Sequence, residues 1–133
     1  MPRSLLVSWV EPVGRPSMVG MVRGNPLALA GWLALAWGVG AFCEELFFRG
    51  YLLSRLEQVF HSHPLGLAVA VVGQEVVFGC LHLYNGLFGF MFAATSAVLF
   101  AMGYLVAGRN LWPTIVVHGV WNSLGLFGVY LSG

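Results

Sequence analysis

The chain has 133 residues, 59% of them hydrophobic and 8% charged, with a net charge of +1 and a mean hydropathy of +0.84. A soluble domain carries about 25% charged residues, so this is the composition of an integral membrane protein. The small net charge, the lack of lysine and the absence of a basic arm or zinc-finger spacing exclude nucleic acid as a partner.

Residues 1–25 hold Arg3, Glu11, Arg15 and Arg23 together with Pro2, Pro12 and Pro16. They read as a flexible or interfacial leader to a domain over 26–133. Leu5 to Val10 is too short for the apolar core of a signal peptide. Pro26 to Cys43 is uncharged and apolar, and the helical pattern continues to about residue 60. A helix that long exceeds the ~30 Å hydrocarbon core, so it must tilt, kink or project, with Gly38 and Gly40 as candidate kink points. His61-Ser62-His63-Pro64 reads as a turn, with Pro64 at the first position of a second helix over 64–83. Tyr84-Asn85-Gly86 is a turn signal before a third, uncharged span over 86–108. Gly108-Arg109-Asn110 turns the chain into a fourth helix over 112–131, with Trp112 and Tyr130 as interface anchors. Nothing has strand periodicity. The expectation is an all-α, polytopic membrane helix bundle of about four transmembrane helices. Ala34, Gly38, Ala93, Ala97 and Ala101 supply small residues for close helix packing, within the chain or between copies. Cys43 and Cys80 read as small packing residues.

Ionisable residues inside a membrane helix are costly and usually pair or serve a function. Glu44 and Glu45 are adjacent in Ala41-Phe42-Cys43-Glu44-Glu45-Leu46-Phe47-Phe48-Arg49-Gly50. Arg49 follows Glu45 by four residues, which places the two on one helix face as an ion pair. Glu44 points about 100° away and is left available for chemistry. His82 closes the second helix, and His118 and Asn122 share a face of the fourth. Counted from the turn at 61–63, Glu44 and His82 fall at about the same level, roughly 25–28 Å along antiparallel helices. His118 and Asn122 reach that level only if the first hairpin projects beyond the membrane by about 10–15 Å.

These residues resemble the CPBP family of intramembrane proteases, which comprises CAAX prenyl endopeptidases and bacterial relatives associated with bacteriocin immunity. The family pattern is Glu-Glu-x-x-x-Arg, then Phe-x-x-x-His, then His-x-x-x-Asn. Here it is carried by Glu44-Glu45 with Arg49, by Phe78 with His82, and by His118 with Asn122. The flanks Phe48-Arg49-Gly50-Tyr51-Leu52 and Gly108-Arg109-Asn110-Leu111-Trp112-Pro113 are similar as well, so the resemblance covers about residues 38–130. Two features depart from it. Family members commonly carry further helices before the glutamate pair, so the expectation is a minimal catalytic core, a truncated gene product or an incorrect start, with missing N-terminal helices or a homo-oligomer as the corresponding partners. Glu75 stands where the family usually has an apolar or small residue; facing Arg49 or water in the bundle interior is its plainest role.

The resemblance implies an endopeptidase that hydrolyses a peptide bond of a membrane-embedded protein or peptide, in a multi-pass protein of the cell membrane surrounded by lipid bilayer. The chemistry suits the residues. Water needs a general base within hydrogen-bond reach. Glu44 is the candidate, with His82 positioning or deprotonating the water. Asn122 and His118 can donate to the developing oxyanion, and Glu45 with Arg49 would orient the site. The residues admit a second mechanism, in which Glu44, His82 and His118 hold Zn2+ and the protein is a metalloprotease. The His-Glu-x-x-His helix of soluble zinc proteases is absent, and no Glu-x-x-His pair supports a di-iron centre. The alternative function is a non-catalytic membrane scaffold or bacteriocin-immunity factor of the same fold. A proton or ion relay would need polar groups spaced across the bilayer, whereas these converge.

Overall fold

The computed structural model describes residues 18–132. Of the expected leader, residues 1–17 lie outside the described residues. Met18–Val22 is a short helix (α1) whose Val22 is fully buried against Leu29 and Leu126. Four further helices follow: α2 (Pro26–Val59), α3 (Gly66–Leu81), α4 (Gly86–Val106) and α5 (Leu111–Leu131). A single 3-10 turn, Leu83–Asn85, joins α3 to α4. No strand occurs among the described residues. The chain is an all-α membrane helix bundle. Helices α2 and α5, and Leu83–Val106 with the 3-10 turn included, are long and apolar enough to cross a membrane. Helix α3 has 16 residues, about 24 Å at 1.5 Å per residue, and is shorter than a typical span.

Local chemistry sets the helix ends. The Asn25 side chain accepts hydrogen bonds from the Leu27 and Ala28 amides at 3.1 Å, and Pro26 occupies the first turn, where its missing N–H is not needed. Asn110 caps α5 through the Trp112 amide at 3.0 Å. In the α4–α5 turn Gly108 and Arg109 both take positive φ, 65° and 66°, a conformation that a β-carbon disfavours. Both guanidinium Nη atoms of Arg109 donate to Glu57 at 2.7 Å, which ties this turn to the far end of α2.

Helix α2 does not kink at one glycine. It is α-helical over Pro26–Leu35, π-helical over Ala36–Cys43 and again over Leu46–Leu52, and α-helical over Leu53–Val59. The wider i→i+5 turns, a form often found at functional sites, flank Glu44 and Glu45 on both sides. Gly38 and Gly40 lie in the first of these stretches.

Helix α2 packs on α5 through its N-terminal half and on α3 through its C-terminal quarter; α3 packs on α4, and α4 on α5. The core is divided into patches. Phe48, Phe78, Ala93 and Ala97 form one, and Leu53, Ala70 and Tyr104 another. Ala93, Ala97 and Ala101 are buried small residues of α4, which lets neighbouring helices approach closely. Ala34 and Gly38 are exposed instead. Cys43 and Cys80 are free and exposed, so they do not fill the core as expected. Tyr130 packs against the Val22 cluster, while Trp112 is exposed.

Candidate active site

The two glutamates part as the sequence indicates. Glu45 is completely buried, and Oε1 accepts a hydrogen bond from Arg49 Nη1 at 3.1 Å. Glu44 keeps about a third of its side chain exposed (30%) and lines a cavity. Arg49 is also fully buried. Its Nη2 donates to the Ala97 carbonyl at 2.8 Å. Its guanidinium lies 5.3 Å from the Phe78 ring centre and 5.6 Å from that of Phe100, so aromatic faces supply part of the electrostatic stabilisation that water would give at a surface.

A contact between distant segments completes this cluster. Nδ1 of His118 lies 2.8 Å from the same Glu45 oxygen that accepts from Arg49. A carboxylate accepts, so the nitrogen carries the proton, and this bond leaves Nε2 with the lone pair in the neutral ring. Nε2 lies 4.0 Å from Glu44 Oε2. The His118 ring stacks on Phe100 with centres 4.6 Å apart, which leaves it little freedom to turn. His82 is held in the same sense: Nδ1 donates to the Phe78 carbonyl at 2.9 Å, freeing Nε2. Its ring packs 4.7 Å from Phe78. Phe78 therefore touches Arg49 and both histidines, a physical reason for an aromatic residue four positions before His82.

Glu44, His82, His118 and Asn122 line one cavity of about 910 Å³. Its other walls are largely apolar and aromatic, from α2 (Trp32, Leu35, Val39), α4 (Phe88, Phe92) and α5 (Trp121, Leu124). The volume is at the upper end for ligand pockets. Asn122 reaches this wall because Gly40 faces it: a β-carbon at Gly40 would lie 3.0 Å from Asn122 Nδ2. Helices α2 and α5 approach again at Gly119, whose place beside the Trp37 ring leaves no room for a β-carbon, and Trp37 Nε1 donates to Ser123 Oγ at 3.0 Å.

The arrangement differs from the expected one in detail. In His118, the expected oxyanion donor, Nδ1 is bonded to Glu45 and the other ring nitrogen faces Glu44. Glu75 faces Arg49, with Oε2 3.5 Å from Nη2. Gln74 donates to Glu75 Oε1 at 2.8 Å, a partner that the sequence signalled only as a second polar residue in an apolar helix. Among the described residues no three histidine, cysteine or carboxylate side chains gather closely enough to hold one metal ion. Glu44, His82 and His118 share a cavity but do not form a ready three-ligand set.

The fold and this cluster define a class: a membrane helix bundle with a buried acid–histidine pair opening on a large apolar cavity. The chain belongs to the family of type II CAAX prenyl endopeptidases, Rce1-like, whose model matches residues 26–124. No curated protein and no solved structure matched it.

Proposed function

We propose that the protein is an intramembrane endopeptidase that cleaves a peptide bond of a membrane-associated protein or peptide with water activated by Glu44. The observation that carries this reading is the 4.0 Å approach of Glu44 Oε2 to His118 Nε2 at the wall of the cavity. That gap is too long for a direct hydrogen bond. A water molecule lying beside the pair can bond to both ends at once. Glu44 then takes one proton of the water as the oxygen attacks the carbonyl carbon. The Asn122 amide donates to the oxyanion that forms. When the C–N bond breaks, the proton held by Glu44 passes to the leaving amine, and the water oxygen and its second proton stay on the new carboxyl group.

The remaining residues orient this chemistry. Glu45 fixes the His118 tautomer, and Arg49 neutralises Glu45. His82, with its Nδ1 tied back, presents Nε2 to the same cavity. The apolar walls suit a lipid-modified or membrane-embedded segment, and the family description supplies a candidate substrate class, prenylated CAAX-type chains. The setting is a multi-pass protein in the cell membrane. The test is cleavage of a quenched fluorescent prenylated peptide by the purified protein in vesicles. Signal from the wild type and its loss in Glu44→Gln support the reading; equal signal from both overturns the role of Glu44.

A further inference from the structure

Two carboxylates flank one guanidinium in the packed interior, and the reaction scheme gives no task to the second of them, Glu75. Glu75 is only 4% exposed. Its Oε1 accepts from Gln74, and its Oε2 has no hydrogen-bond partner although it lies 3.5 Å from Arg49 Nη2. A buried carboxylate of this kind is costly unless a nearby charge offsets it.

The geometry of Arg49 indicates what Glu75 does. An arginine facing a single carboxylate commonly closes on it with two parallel bonds, one to each oxygen. Arg49 does not. It gives Nη1 to Glu45 Oε1, while Nη2 turns to the Ala97 carbonyl and towards Glu75. Glu45 Oε2 bonds to nothing, and Oε1 carries both Arg49 and His118. The guanidinium is thus held off the two-oxygen arrangement by groups on α3 and α4.

We propose that Glu75 is a positioning residue: by drawing the Nη2 edge of Arg49 towards α3, it keeps Arg49 from closing on both oxygens of Glu45. Glu45 then stays on Nδ1 of His118, and Nε2 stays turned to Glu44. The kinetic consequence rests on the hydrolytic reading above; the orientation of His118 does not.

The test uses the full chain in lipid nanodiscs with 15N-labelled histidine, His118 being assigned by its loss in His118→Asn. The wild type should show His118 as a single Nδ1–H tautomer. In Glu75→Gln, which keeps size and can still accept from Gln74, the Nε2–H tautomer should appear. On the quenched prenylated peptide kcat should fall about 10–100-fold, with KM nearly unchanged. Glu75→Asp keeps the charge but withdraws it from the guanidinium, and should change both readouts in the same direction by less; it carries the test if Glu75→Gln does not fold. A wild-type His118 spectrum in the folded variants, or a loss of turnover only in proportion to folded protein, overturns the assignment. If the wild type cleaves no probe, the hydrolytic reading fails, and the His118 spectra alone uphold or overturn the role of Glu75.

Discussion

Nδ1 of His118 sits 2.8 Å from Oε1 of Glu45, across 73 residues of sequence and away from solvent. This contact joins the last helix to the middle of α2 and couples the stability of the bundle to the orientation of His118, whose other ring nitrogen faces the candidate base Glu44.

Arg49 is the cation on which that contact depends. Arg49→Ala leaves Glu45 and Glu75 buried without a counter-charge. Stranding a buried charge costs about 3–5 kcal/mol, so the variant should give a lower folded yield and a lower thermal midpoint in detergent, along with lost cleavage. A variant with wild-type stability would contradict the ion-pair assignment.

Asn122 depends on Gly40 for its place. Asn122→Ala should lower kcat about 100–1000-fold by removing an oxyanion donor. Gly40→Ala puts a methyl group 3.0 Å from Nδ2 and should lower kcat by displacing the amide. A double-mutant cycle checks the link: with Asn122 already alanine, Gly40→Ala should have little further effect on turnover, whereas additive losses would separate the two.

The contact at Gly119 is one of packing. In Gly119→Ala the new β-carbon would meet the Trp37 ring at 2.6 Å, so the ring must move and its hydrogen bond to Ser123 breaks. Overpacking of this kind costs about 1–3 kcal/mol. The expected result is a lower midpoint of thermal unfolding, read by tryptophan fluorescence; an unchanged midpoint would mean that Trp37 swings aside without cost.

The ligand arrangement bears on metal use. With no three suitable side chains gathered around one point among the described residues, cleavage should persist after prolonged treatment with a strong zinc chelator. Loss of activity that zinc restores would instead assign Glu44, His82 and His118 to a metal.

Much of the fold was legible because turn chemistry marks it. Pro26, the Tyr84-Asn85-Gly86 turn and the Gly108-Arg109-Asn110 turn each lie within about two residues of an observed helix end. Pro64 likewise lies two residues before the start of α3 at Gly66, but with 16 residues that helix is shorter than a full span. Glu45–Arg49 was legible because spacing along one helix fixes it. Contacts between helices were not, because they depend on rotation and height. Reading levels along straight helices set His118 too shallow unless the hairpin projected, whereas here it meets Glu45 directly. The π-helical turns around Glu44 and Glu45 shift the phase of α2 and had no sequence marker beyond Gly38 and Gly40. The pair Glu57–Arg109 had a signal in the sequence, since opposite charges near helix ends on the same side of the bundle are natural partners.

The central claim is that Glu44 activates water for peptide hydrolysis. Mass spectrometry of a prenylated peptide incubated with purified wild type and Glu44→Gln in vesicles tests it most directly. The wild type should yield two fragments from one internal peptide bond, and Glu44→Gln, folded to the same extent, should yield them at least ~100-fold more slowly. An intact peptide with well-folded wild type would contradict the claim and favour a membrane scaffold of the same fold; equal rates from both proteins would remove Glu44 from the chemistry.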